Sequence, residues 1–242
     1  MSKHRDFILM PIDKILKEAV FATNAVGFTI KAYPLYDYIM QSVFIKMTGF
    51  QEQKLKCIVW ELATDDYEYR YRKLTDKLGE CSNYKDKNAI YSDMIKAIKE
   101  YTSNSGIKKI FPNKKDFMDS IGSNIFTIFN NSHLANFKLK SFKHFLDTWK
   151  KLFSENSLLT DNLFQSEEKH IRLINVYQDY LYKARNRIAH NTLSYQQNLP
   201  TLKVLKDENY KYENYFLWFA ILVLIDEVFL KLYKKYLEVA RQ

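Results

Sequence analysis

Phe216-Leu217-Trp218-Phe219-Ala220-Ile221-Leu222-Val223-Leu224-Ile225 is the longest apolar run in this chain of 242 residues, and its length decides how it is read. It reaches about half of the ~20 residues that a membrane-spanning helix requires, so a buried core helix is expected and no membrane association. Tyr215, Trp218, Phe219, Leu222, Ile225, Phe229 and Leu232 recur at steps of three and four, which extends that helix to about Ala240. Five glycines, four prolines and 47% apolar residues suit long helices with few tight turns and argue against a sandwich or barrel. The expected fold class is all-α.

Working back from this helix, the pattern divides into further helical segments. Pro11 suits a first helical position, and a helix is expected from there to Tyr33, interrupted by Pro34. A second should run to Thr48 and end at Gly49. Leu55, Val59, Leu62 or Ala63, Tyr67, Tyr71, Leu74 and Leu78 then predict one long amphipathic helix closed by Gly79, with Lys54, Lys56, Arg70, Arg72 and Lys73 on its outer face. Ile90, Met94, Ala97 or Ile98 and Tyr101 mark another. The stretch Ser103-Asn104-Ser105-Gly106, followed by Phe111-Pro112-Asn113, is the candidate boundary between an N-terminal helical region (1–110) and a second helical domain (111–242), if the chain is not one continuous domain. Within the second part, Phe117, Ile121, Ile125, Ile128 and Phe129 fit one helix. Phe142, Phe145, Leu146, Trp149, Leu152 and Phe153 make the apolar stripe of the next, with Lys140, Lys143, Lys150 and Lys151 on its other faces.

The net charge of +9, with a pI near 9.2, makes a polyanion a reasonable partner, although solubility alone also accounts for a basic surface. Cys57 and Cys81 have neither CxxC spacing nor a nearby histidine, so no disulfide framework, no zinc site and no other metal is expected, and a reducing cytoplasm suits them. The N-terminus lacks a secretory apolar core, since Pro11 and Asp13 break it.

One cluster carries chemistry. Ile171, Ile174, Tyr177 or Gln178, Leu181, Arg185 and Ile188 share a helical face, which brings Arg185 out on an otherwise buried side. A guanidinium there requires a carboxylate, a partner chain or a phosphate before it. Asn186 and His190 lie four apart and can share a face, whereas Arg185 and His190 are about 140° apart on an ideal helix. An imidazole can take a 2′-hydroxyl proton or protonate a 5′-oxygen leaving group, and an arginine supplies permanent charge to the phosphate. DNA lacks that 2′-hydroxyl, so RNA is the substrate this kit allows.

The run Arg185-Asn186-Arg187-Ile188-Ala189-His190 resembles the R-(N/D/H)-x-x-x-H motif of the HEPN superfamily of all-helical domains, many of them ribonucleases. The resemblance covers the motif and the helices around it, roughly the C-terminal half. It implies a HEPN-like bundle with additional N-terminal helices, and a metal-independent endoribonuclease without cofactor. Arg185, Asn186 and His190 would be catalytic, with Arg187 and Asn191 contacting substrate, unless Arg187 points to solvent. Two copies of a single motif would face each other across a homodimer, because one histidine cannot easily act on both sides of a phosphate. The resemblance further implies a toxin or antiphage abortive-infection effector that attacks tRNA or mRNA under an inhibitory or activating protein partner. Against this stands an inert RNA- or protein-binding module, in which Arg185 and His190 pair with Asp179, Asp226 or Glu227 to join two helices.

Tyr67-Glu68-Tyr69-Arg70-Tyr71-Arg72-Lys73 alternates aromatics with cations, as a base-stacking surface does. On a helix Tyr67 and Tyr71 fall on the core stripe, which leaves Tyr69, Arg70 and Lys73 as candidate RNA contacts. The remaining histidines, His4, His133, His144 and His170, are expected at the surface or at helix ends.

Overall fold

The computed structural model describes residues 3–75, 79–102, 110–153, 162–164, 173–190 and 211–240, and among them every regular element is helical. The elements are α1 (Lys3–Leu9), α2 (Asp13–Asn24), a 3-10 turn (Ile30–Ala32), α3 (Tyr33–Asp65), α4 (Tyr67–Thr75), α5 (Tyr84–Tyr101), α6 (Lys114–Phe129), α7 (His133–Phe137), α8 (Leu139–Leu152), α9 (Leu173–Asn175), a π-helical stretch (Val176–Leu181), α10 (Tyr182–His190) and α11 (Tyr215–Val239).

The C-terminal helix organises the rest. Asn214 starts α11 by accepting the Phe216 N–H at 3.1 Å. Phe216 to Asp226 are then buried without interruption, because α1, α3, α5, α6 and α8 all pack around this one helix. A helix surrounded in this way has no polar stripe to keep. Each large apolar side chain so buried contributes roughly 1.5–3 kcal/mol. No described helix is long and apolar enough to cross a membrane. The buried apolar residues form one cluster drawn from both sides of the expected boundary, of which 103–109 lie outside the described residues.

The first two helices divide differently from expectation. Pro11 sits in the turn between α1 and α2, and the chain from Ala25 to Thr29 is not helical. Pro34 falls in the first turn of α3, where a missing N–H costs nothing, so it opens the helix instead of interrupting one. α3 then runs 33 residues straight through Gly49. A mid-helix glycine costs only about 1 kcal/mol, which the helix's burial on more than one side outweighs.

The expected long helix to Leu78 breaks at Asp66, which has extended backbone (φ −125°, ψ 112°) and caps α4 by accepting the Tyr69 N–H at 3.0 Å. The break resets the phase of the pattern. Leu55, Val59 and Leu62 are buried as expected, but beyond Asp66 it is Tyr69 that is buried, while Tyr67 and Tyr71 are 70% and 64% exposed. Lys54, expected on the outer face, is 1% exposed and paired with Asp226 of α11 at 2.5 Å. In α5, α6 and α8 the expected stripes turn inward, with Ile128 and Leu146 half-buried, except for Tyr101 at the end of α5, which is 52% exposed; Gly122 of α6 lies against the Trp149 ring of α8.

Candidate active site

The segment carrying Arg185 enters through a π-helical stretch, whose wider turn shifts the buried face. Leu173, Val176, Tyr177, Leu181 and Ala184 are buried, Gln178 is exposed, and Arg185 and Ile188 are half-buried at the edge of that face. The site thus places Arg185 where a guanidinium keeps solvent on one side and meets a partner on the other.

That partner is Glu52 of α3. Nη2 of Arg185 lies 3.1 Å from both carboxylate oxygens of Glu52, and Nη1 donates to Oδ1 of the adjacent Asn186 at 3.1 Å. The two side chains are 20% and 11% exposed. Charge-assisted contacts of this geometry are about twice as strong as neutral hydrogen bonds. The backbone on either side of Glu52 is anchored: Gln51 donates to the Leu222 carbonyl at 2.9 Å, and Lys54 donates to Asp226 and to the Met10 carbonyl at 2.6 Å. Asp226 also accepts the Ile12 N–H at 2.9 Å. Burial pushes the Lys54 ammonium down and the Asp226 carboxyl up, while each holds the other charged.

Behind the pair sits a second cation. Lys87 of α5 is 2% exposed, donates to the Cys81 carbonyl at 2.7 Å and lies 6.0 Å from the Tyr177 ring centre. Burial pulls it down to about 8, with the Glu52 charge opposing that fall. Its acceptor is exposed by an unusual turn: Cys81 has φ 59°, stabilised where Asp86 accepts the Cys81 N–H at 3.1 Å and Asn83 accepts the Asp86 N–H at 2.8 Å. Tyr177 closes the cluster by donating to the Ser82 carbonyl at 2.6 Å, and burial holds its hydroxyl well above the usual tyrosine range. The Cys81 thiol is likewise pushed up to about 11 by burial, which makes it a poor nucleophile.

Of the residues expected in the site, Arg185 and Asn186 are brought together. Arg187 points elsewhere and pairs with Glu213 at 3.3 Å. His190 is the last residue of α10, and the helix continues unbroken from Arg185 to it, so their backbones are about 140° apart. The His190 side chain and all of Asn191 lie outside the described residues. None of the carboxylates considered as helix-joining partners takes Arg185: Asp179 pairs with Lys183, Asp226 pairs with Lys54, and burial raises the Glu227 carboxyl. Glu52 and Lys87 are additions that the motif does not announce. Glu52 was visible in one respect, since it precedes Leu55 and Val59 by three and seven positions and so lies on their face.

The aromatic-basic segment is largely built into the fold. The Tyr69 hydroxyl donates to Asp93 at 3.1 Å and Lys73 pairs with the same carboxylate at 2.9 Å, so both are engaged within the fold. Arg70 remains exposed beside the Tyr67 ring, 5.0 Å from its centre. Lys140, Lys143, Lys150 and Lys151 are solvated as expected. His4 contacts Glu61, His133 begins α7 against Tyr36 and Thr23, His144 meets Thr148, and His170 lies outside the described residues. Among the described residues no three His, Cys, Asp or Glu side chains gather as a metal site would require. Comparison with family models, with curated proteins and with solved structures finds no match to this chain.

Proposed function

We propose that this chain is a metal-independent endoribonuclease of HEPN type, acting in the cytoplasm as a homodimer. The observation that carries the reading is Arg185: a guanidinium held by Glu52 and Asn186, still open on one side, on the same unbroken helix as His190. Its fixed charge would bind the scissile phosphate and stabilise the charge that grows on it. His190 would take the 2′-hydroxyl proton as the 2′-oxygen attacks phosphorus. The bond to the 5′-oxygen breaks, and the partner copy's histidine protonates that oxygen, leaving a 2′,3′-cyclic phosphate and a 5′-hydroxyl. Acid–base assistance of this kind contributes roughly 10²–10⁴-fold. Asn186 orients the guanidinium, and a toxin or antiphage effector restrained by a protein partner is the setting that the motif suggests.

The test is cleavage of mixed total RNA and tRNA in excess EDTA by the native chain and by His190→Ala, with helicity checked for both. Cleavage lost only in the variant supports the reading. A second reading, an inert helical RNA- or protein-binding module, draws on the same ion pair, because Glu52 satisfies Arg185 without any RNA. Under it neither protein cleaves, and Arg185→Ala chiefly lowers stability.

A further inference from the structure

We propose that Glu52 is the positioning residue of this site, holding the Arg185 guanidinium in the orientation in which it meets an RNA phosphate, with the buried Lys87 offsetting part of the Glu52 charge that the phosphate would otherwise meet. The proposal rests on the ribonuclease reading above and adds two residues, from α3 and α5, that the motif does not contain.

The argument for orientation is entropic. A free arginine side chain samples many rotamers, and a phosphate that must order it loses binding energy. Here Nη2 is tied to both oxygens of Glu52 and Nη1 to Asn186, so the guanidinium plane is set before substrate arrives. Glu52 is able to serve as an anchor because its own helix is pinned one residue before it by Gln51 and two residues after it by Lys54, both reaching α11. An anchor on a floating helix would fix nothing.

The argument for charge is electrostatic. An isolated Arg–Glu pair is neutral, and a phosphate approaching it meets the carboxylate as well as the guanidinium. Lys87 changes that balance: it is buried on the protein side of the cluster, with the Cys81 carbonyl as acceptor and the Glu52 charge acting on it. Lys87 offsets part of the Glu52 charge from the buried side, and Asp86, which accepts the Cys81 N–H, acts on Lys87 in turn.

The experiment uses the full chain and two readouts. The first is steady-state cleavage of a fluorogenic RNA oligonucleotide in excess EDTA by the native protein and by Glu52→Gln, Glu52→Asp and Lys87→Met. The second is the Arg185 Nε–Hε resonance, assigned by its loss in Arg185→Lys and followed as a non-cleavable 2′-deoxy oligonucleotide is added. Glu52→Gln is expected to lower kcat/KM at least tenfold. Its arginine resonance should broaden and stop responding to the oligonucleotide, and Glu52→Asp should recover part of both. Lys87→Met should raise KM and weaken oligonucleotide binding. Unchanged or increased cleavage by a folded Glu52→Gln overturns the positioning role and leaves the nuclease reading standing. A resonance that responds to the oligonucleotide in a Glu52-dependent way, with no cleavage by the native chain, overturns the nuclease reading and leaves the positioning role. No cleavage and no response overturns both.

Discussion

Replacing Lys54 by methionine tests the physical frame on which the site depends. Lys54 and Asp226 are each 1% exposed and lie 2.5 Å apart, and Asp226 has the Ile12 N–H as its other donor. Lys54→Met keeps the volume but leaves a carboxylate in the core with that single donor. Breaking a buried pair on one side costs about 3–5 kcal/mol, a large part of the 5–15 kcal/mol that holds a typical domain folded. The loss should depend on pH with a definite sign. Burial raises the Asp226 carboxyl, and removal of Lys54 takes away the largest influence opposing that rise. A carboxyl whose folded pKa lies above its unfolded value brings no penalty when both states are protonated, and the penalty grows as pH rises through the unfolded value toward the folded one. Urea unfolding followed by helical circular dichroism should therefore show a smaller deficit at about pH 5 than at about pH 8. The double variant Lys54→Met, Asp226→Leu should regain at least half of the loss, since the buried charge is gone. The unpaired Ile12 N–H would still cost about 1–3 kcal/mol. A deficit under about 1 kcal/mol in the single variant would refute the reasoning, because it would mean that water reaches the pair.

Other expectations follow from single positions. Gly49→Ala should stabilise by about 0.5–1 kcal/mol in thermal or urea unfolding, because nothing lies within 4 Å of the added Cβ in the middle of α3; any loss of stability there contradicts it. Gly122→Ala should instead destabilise by about 1–3 kcal/mol, since its Cβ would lie 2.2 Å from the Trp149 ring, and a neutral outcome would show that the ring moves aside cheaply. Lys87, lowered to about 8 from an ordinary 10.5, is charged more often in the unfolded chain above about pH 8, so native stability should gain up to about 1 kcal/mol per pH unit from it. The window is pH 8 to 9, because above it the Cys81 thiol, raised from 9.0 to about 11, works in the opposite direction. Lys87→Met should remove that gain, and parallel stability curves for variant and native protein would count against the buried charge.

The all-helical class, the core helix α11 and the stripes of α5, α6 and α8 were legible from spacing alone. Periodicity of three and four records which face each helix buries, and that record survives as long as the helix is unbroken. It failed where a single residue altered the phase. Asp66 could be read as one more polar position in a long pattern, yet its side chain caps a new helix, so Tyr69 went inside and Tyr67 and Tyr71 outside. Pro34 and Gly49 were taken as stops by local propensity, and the packing of α3 against α1, α2, α5 and α11 outweighed that propensity.

At the candidate site the chain's own sequence determined that an arginine, an amide and a histidine lie within six residues of one helix, and that the arginine emerges on a half-buried face. Only the tertiary structure decided what that arginine meets. Glu52 and Lys87 are 133 and 98 positions from Arg185, with no spacing rule to link them, and they are brought to it because α3 packs against α10 while α3 and α5 both pack against α11. Local pattern encodes which residues turn inward. It does not encode which inward-turned charges will find one another, since that follows from how whole helices pack.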